Sequence, residues 1–331
     1  MPINTKVNLA PNVLNYEKVD QKPTRDGYGQ GLVLAGEADK RVVVLCADLT
    51  ESTRSLGFKQ KFPDRFVQMG VAEQSMAAIA AGMAMADKIP FISSYAAFSP
   101  GRNWEQIRTN ISLNELDVKI CGAHAGVSVG PDGATHQAIE DMATMRVLAR
   151  MTVLYPCDAM EARKATVAAV QTSGPVYLRF AREKSPLFTT EKTPFKVGRA
   201  EIFWKPKNKA KLAIIACGPL AYEALLAAKS LEKDGIGVYV VNNHTIKPMD
   251  EKTIIQVARE AGRIVTVEEH QVQGGMGSAV AEVLVKNCPV PMEFVGVQNH
   301  YGESGEPREL LEAFGMTAPH IIKAARRVLK R

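Results

Sequence analysis

The sequence predicts two doubly wound, mostly parallel α/β sheets, each with helices on both faces. Three observations carry that expectation. Short continuous apolar runs, such as RVVVLC at residues 41–46, have the pattern of strands buried on both faces. They alternate with helix-length segments through short connections, the arrangement that parallel strands require. A stretch rich in Pro, Lys and Thr then interrupts the alternation in a chain of 331 residues, long enough for two domains of about 150 residues each.

Taken in order, residues 1–23 read as a polar arm punctuated by Pro2, Pro11 and Pro23, with no period. Residues 24–186 are the first unit. Within it, 24–39 reads as a helix despite its glycines and 41–46 as a strand. The loop Ala47-Asp48-Leu49-Thr50-Glu51-Ser52 follows at a strand's carboxyl end, where open α/β sheets keep their ligands. Residues 66–69 are β-like, Gly70 breaks the run, and an Ala- and Met-rich helix starts at Glu73. The alternation continues with strand 89–94, helix 102–114, strand 118–122, a glycine-rich loop 123–135 and helix 136–149. Strand 152–155, helix 159–172 and strand 176–179 complete the unit. Residues 187–209 are expected to be a linker. Residues 210–331 then repeat the pattern, with strands at 212–217, 237–241, 264–268 and 293–296. Helices near 221–233, 252–260 and 278–286 interleave with them, and a terminal helix spans 318–329.

Hydrophobic residues make up 46% of the chain, which supports sizeable cores and excludes a disordered or fibrous protein. Basic residues number 41 against 35 acidic ones, but no block of five like charges occurs, so neither nucleic acid nor a membrane surface is expected as a partner. The modest positive balance suits a phosphorylated small substrate. Cys46, Cys121, Cys157, Cys217 and Cys288 form no CxxC pair and lie mostly in or beside apolar runs. They read as reduced thiols in a cytoplasmic protein, not as disulfides or a zinc site. The N-terminal residues lack the apolar core of a signal peptide, and no run of 18 apolar residues suggests a membrane span.

Four stretches could carry chemistry. Glu73 opens a helix whose next three turns are nearly all small or apolar, so its carboxyl is expected to be poorly solvated and suited to proton transfer. The alternative is a first-turn charge that complements the helix dipole. The loop from His124 through Asp132 to His136 and Gln137 combines two histidines and an aspartate with glycines that let backbone approach a ligand, which suits a polyhydroxylated substrate. Its histidine spacing matches no standard metal pattern. Tyr95 and Phe98, three apart after a strand, could stack on a planar heterocycle or be ordinary core. The run Gly274-Gly-Met-Gly277-Ser before a helix resembles an anion-binding start, but it lacks the full dinucleotide pattern and its context.

On these residues the sequence resembles the C-terminal half of transketolase. Gly130-Pro-Asp132-Gly-Ala-Thr-His136-Gln137 matches the specific motif GxDGxTHQ, and residues 47–52 match ADLTxS. The resemblance runs from about Pro23 onward. It implies the pyrimidine-binding domain and C-terminal domain of a thiamine-diphosphate enzyme of the pentose phosphate pathway. It further implies transfer of a two-carbon ketol unit from a ketose phosphate to an aldose phosphate.

The resemblance also implies roles. Glu73 and His136 are the catalytic candidates. Glu73 would hydrogen-bond the aminopyrimidine ring nitrogen of the cofactor, and Tyr95, Phe98 and Asp48 would complete the cofactor side. His136 and Asp132 would bind the donor's hydroxyls, while Arg25, Ser52, His124 and Arg182 would hold the sugar phosphate, in keeping with arginine's fit to phosphate. No Gly-Asp-Gly occurs in the chain. The resemblance therefore implies that Mg²⁺ (or Ca²⁺) and the diphosphate are held mainly by an N-terminal partner subunit, in a dimer of heterodimers. No metal ligand is expected in this chain.

Some positions depart from the commonest pattern. Ala72-Glu73-Gln74 resembles the equivalent run in 1-deoxyxylulose-5-phosphate synthases, Ala134 stands where Pro is usual, and Ile92 where many transketolases have an aromatic. His124 and the run Gln137-Ala-Ile-Glu140 resemble transketolase instead. Two other readings are the β subunit of a 2-oxo acid dehydrogenase, which has no need of the sugar-reading loop, and a non-catalytic assembly partner of the same fold.

Overall fold

A computed structural model of the chain describes residues 2–331. Among the described residues fourteen strands appear in chain order: β1 (Gln21–Pro23), β2 (Val42–Cys46), β3 (Phe66–Gln68), β4 (Ile89–Tyr95), β5 (Lys119–Ala123), β6 (Thr152–Leu154), β7 (Val176–Arg179), β8 (Lys184–Pro186), β9 (Glu201–Trp204), β10 (Ala210–Ala216), β11 (Gly237–Asn242), β12 (Thr245–Lys247), β13 (Ile264–Gln271) and β14 (Met292–Val297). One sheet has the order β12-β6-β7-β5-β4-β2-β3 and the other β14-β13-β10-β11-β9. Every pair in both is parallel except β12 with β6 and β9 with β11.

The continuous apolar runs are buried on both faces, as the absence of alternation requires. Along β10, Leu212, Ile214 and Ala216 join a core with helices Leu220–Lys233 and Ala318–Val328, whereas Ala213 and Ile215 face helices Glu251–Ala261 and Met276–Asn287. In the first sheet Val42 and Val44 face helices Thr24–Ala38 and Ala159–Val170. Leu45, Ile92 and Ile120 share one apolar cluster with Ile215, Val241 and Ile264 of the second sheet. The two units therefore have a common core between them.

Four expectations need correction. The arm is not a free polar tail: Val7, Val13 and Val19 are buried in the second unit's core, and β1 pairs with β8. Valines six residues apart produce no helix or strand period, yet all three join that one core. The 187–209 segment is not a bare linker, because Phe188, Phe203 and Trp204 are buried and β9 forms the edge of the second sheet. Helix 102–114 begins as the short turn Trp104–Gln106 and continues as a wide π-helix, Ile107–Ser112. Helix 136–149 shrinks to Asp141–Arg146. Its expected first turn is diverted: the Ala138 carbonyl accepts from Gly126 N–H at 2.8 Å and from Arg179 at 3.1 Å.

Candidate active site

In the first sheet the chain goes from β2 outward to β3, then returns to β4 on the other side of β2 and continues away from it. The crevice of an open α/β sheet opens at such a reversal, beyond the carboxyl ends of the strands. Asp48 and Ser52 follow β2, Glu73 follows β3, Tyr95 ends β4 with Phe98 just beyond, His124 follows β5 and Arg182 follows β7, while Arg25 lies in the first turn of helix Thr24–Ala38.

Glu73 is the first residue of helix Glu73–Met85 and is 1% exposed. Its Oε2 accepts from Arg102 at 2.8 Å and its Oε1 from the Ser94 hydroxyl at 3.3 Å, while Asn103 donates to its carbonyl at 3.1 Å. A buried carboxylate needs such partners, since burying it unpaired costs far more than one hydrogen bond returns. Arg102 also lies over the Phe98 ring, 4.9 Å from its centroid. The sequence reading missed Arg102, Ser94 and Asn103. The usable signal was the need of a buried Glu for a cation, and Arg102 is the first one after the aromatic pair.

The aromatic pair joins the histidines. Tyr95 stacks on His124 with centroids 3.8 Å apart, and Phe98 meets the edge of His136 at 5.4 Å. Tyr95 and Phe98 themselves lie 6.0 Å apart. Both are half-buried, so they are not simple core. His124 is buried and sits at φ 55, a left-handed conformation that the loop imposes on it. Burial, reinforced by Arg25 and then Arg182, pushes its pKa down to about 2, so the imidazole is neutral at physiological pH. Arg25 approaches His124 Nε2 at 3.3 Å and donates to the Ser52 carbonyl at 2.9 Å. With Nε2 accepting, the ring proton lies on Nδ1, which is buried without a partner, as is Nε of Arg25. Two orphaned donors at one rim fit a ligand that brings acceptor oxygens, as a phosphate or a polyol does.

Arg182 donates to the Val129 carbonyl at 2.7 Å and lies 3.8 Å from Asp132 and 3.4 Å from Glu183. Gln137 pins the loop from within by donating to the carbonyls of Val127 at 3.0 Å and Glu303 at 2.9 Å. His136 is held through Nδ1 by the Thr135 hydroxyl at 3.0 Å. Asp48 stands apart from the cluster: it is exposed, at φ 58, and bonded only to Gln68, at 3.3 Å. Ser52 takes part through its backbone carbonyl, not its hydroxyl.

The glycine-rich start at 274–277 is filled from inside. The Glu268 carboxylate accepts from Met276 N–H at 2.6 Å and from Gly277 N–H at 2.8 Å. The second sheet's own crevice is also occupied. Gly218, at φ 64, lies against Tyr155, and a Cβ there would come within 2.2 Å of that ring. Below it Arg179 is 4.4 Å from the Tyr155 centroid and pairs with Asp141 at 2.8 Å. Burial alone would push the Asp141 carboxyl up, but Arg179, with His270 and the Tyr177 hydroxyl, outweighs it and holds the pKa below the ordinary value. Among the described residues no group of three or more His, Cys, Asp or Glu side chains is arranged to hold a metal ion, and no helix is long and apolar enough to cross a membrane.

Comparison with known proteins agrees with this architecture. Residues 20–186 match the family model described as transketolase, pyrimidine binding domain, and residues 204–321 match transketolase, C-terminal domain. A 6-deoxy-6-sulfo-D-fructose transketolase subunit from Clostridium sp. (strain MSTE9) is 38% identical over 95% of this chain and 97% of its own length. A putative transketolase C-terminal section from Methanocaldococcus jannaschii is 39% identical over 94% of this chain and 97% of its own. The rat transketolase is 39% identical over 96% of this chain, which spans 50% of that enzyme. Among solved structures, one titled "Split gene transketolase, inactive beta4 tetramer" superposes with a TM-score of 0.86 at 42% identity, covering 93% of this chain and 98% of the other. Sequence, sheet order and the residues gathered at one rim lead to the same place: this chain belongs to the transketolase family, as the counterpart of its pyrimidine-binding and C-terminal domains.

Proposed function

We propose that this chain is the C-terminal subunit of a two-chain transketolase, dependent on thiamine diphosphate, that moves a two-carbon ketol unit from a ketose phosphate to an aldose phosphate. The observation that carries the reading is the buried Glu73 carboxylate at a helix start, linked through Arg102 and Ser94 to the Tyr95, Phe98, His124 and His136 cluster. A carboxylate beside two half-buried rings fits an aromatic heterocycle with a basic ring nitrogen. When bound, thiamine diphosphate supplies the nucleophilic carbon that cleaves the ketose. Glu73 would hold the proton at the aminopyrimidine ring nitrogen, sharing the position that Arg102 occupies on Oε2. Tyr95 and Phe98 would orient the ring. Arg25 and His124 would bind the anionic end of the sugar through their orphaned donors, with Arg182 adding charge. His136 and Asp132 would read the hydroxyls. Asp48 would lie toward the interface side.

The partner reading has two supports. Val71, just before helix Glu73–Met85, and Ile79 and Met85 on it are exposed at 73%, 43% and 78%, apolar surface that a second chain would cover. The split-gene relative's title describes an inactive tetramer of β chains alone. The chain by itself is therefore expected to show no transfer activity and to bind thiamine diphosphate weakly in calorimetry. Addition of the N-terminal subunit and Mg²⁺ should restore both. Tight, Mg²⁺-dependent cofactor binding by the isolated chain would overturn the two-chain reading.

The donor's anionic end is a phosphate in this reading, whereas the name of the Clostridium relative specifies a sulfonate. Assays with a ketose phosphate and with 6-deoxy-6-sulfo-D-fructose separate the two. With the phosphate donor, Arg182→Ala is expected to raise KM for phosphorylated sugars and spare unphosphorylated ones. Asp132→Ala should keep the cofactor bound and relax discrimination among donors by the roughly 1.5–3 kcal/mol of one charged hydrogen bond. Equal effects of both changes on every sugar would remove these two residues from sugar reading.

A further inference from the structure

A cavity of about 340 Å³, within the range of small-molecule sites, lies where the two units and the N-terminal arm meet. It is separate from the rim just described, and none of the ten candidate residues lines it. Ser128, Ala181 and Glu183 contribute to its wall, while their neighbours Val129 and Arg182 are bonded to each other and belong to the sugar-reading side.

The floor carries two buried polar groups. Glu269 is 1% exposed, and its Oε1 accepts from Ser128 N–H at 2.6 Å. Tyr222 is also 1% exposed, and its hydroxyl has no hydrogen-bond partner. A buried hydroxyl with nothing to bond is uncommon unless a ligand or water supplies the partner. Burial, then Glu223 and Tyr16, pushes the Tyr222 pKa up to about 12, so the phenol stays neutral.

The charge in the cavity is one-sided. Glu183, Glu223, Glu269 and Glu306 line it, against Lys184 and Arg308. Arg308 is committed to Glu223 at 2.6 Å, and the other oxygen of Glu223 accepts from Ala318 N–H at 2.7 Å. Pro186, Pro219, Leu220 and Leu311 supply apolar wall, and the rings of Tyr16 and Tyr222 lie 6.0 Å apart.

We propose that this cavity binds a small organic cation, an apolar or aromatic body ending in a protonated amine that donates to Glu269 and to the Tyr222 oxygen. An ammonium group has three donors and no acceptor, which matches two waiting oxygens. It also gains from aromatic faces. Glu223 and Glu183 are paired with Arg308 and Arg182, but a phosphate or carboxylate would still meet the unpaired Glu269 and Glu306 with Lys184 as the one uncommitted cation, and a bare sugar would leave the proline and leucine walls unfilled.

Calorimetry on the full chain with tyramine as the probe tests this, beside 4-hydroxyphenylpropionate, which has the same body and a carboxylate in place of the amine. Saturable binding of one tyramine per chain is expected, with none of the carboxylate. Glu269→Gln should weaken tyramine roughly tenfold or more. Tyr222→Phe removes a hydroxyl that bonds nothing within the protein, so the chain folds and still reports on the site; it should weaken binding about threefold or more. Leu311→Trp, which fills the cavity, should abolish binding. The proposal is overturned if tyramine gives no saturable heat or the carboxylate binds as well. It is equally overturned if Tyr222→Phe and Leu311→Trp both bind tyramine like the parent.

Discussion

Glu73→Gln is expected to leave assembly with an N-terminal subunit and cofactor binding intact while turnover falls by the ~10²–10⁴-fold typical of losing a positioned proton-transfer group. The amide keeps the size of the side chain, its oxygen can still accept from Arg102 and its NH₂ can donate to the Ser94 hydroxyl, so the buried pocket is left with neither a hole nor an unbonded polar group. It cannot hold or pass the proton. Exchange of the cofactor's acidic ring C–H with deuterated water, followed by NMR in the assembled enzyme, measures the affected step apart from sugar binding. Exchange at the parental rate would reduce Glu73 to a charge that complements its helix.

The second large effect is one of stability. Asp141→Ala should lower the unfolding free energy by about 3–5 kcal/mol, because it strands Arg179 as a buried, uncompensated charge. The carboxylate accepts from Arg179 Nε at 2.8 Å and from the Tyr177 hydroxyl at 2.6 Å, and Arg179 is fully buried. Tyr177→Phe removes a single donor and should cost only about 1 kcal/mol. Denaturant titration of the two variants, read at matched slopes, makes the comparison. A loss for Asp141→Ala no larger than for Tyr177→Phe would mean that water or Glu269 takes over the guanidinium.

What could be read in advance follows from how local each signal is. The runs at 42–46, 89–92 and 212–216, the apolar parts of their strands, announce themselves because a strand buried on both faces lacks a polar side. The Glu73 helix start and the loop from His124 to His136 stand out in advance as short motifs, and the fold brings them to one sheet edge. Arg102 was only half legible: a buried Glu calls for a cation, but which one answers depends on a turn bringing it back over Phe98 to Glu73. The same holds for β12: three residues, Thr245–Lys247, carry no strand pattern of their own and form one only against β6. The arm's three valines and the diverted turn at 136–140 were hidden for the same reason, since tertiary partners outbid local preference there.

β12 crosses from one unit to the other. It lies in sequence between elements of the second sheet, yet it hydrogen-bonds to the edge of the first, while Val7, Val13 and Val19 reach from the front of the chain into the second unit's core. Each unit is thus laced into the other at both ends. Rotation of one against the other would have to break ladder hydrogen bonds and open a common apolar layer, so a hinge between them is closed off as a source of motion. Any motion at the candidate rim is left to short segments such as residues 47–52 and 127–132. A protease cut within 189–199 would leave two polypeptides that still travel as one particle.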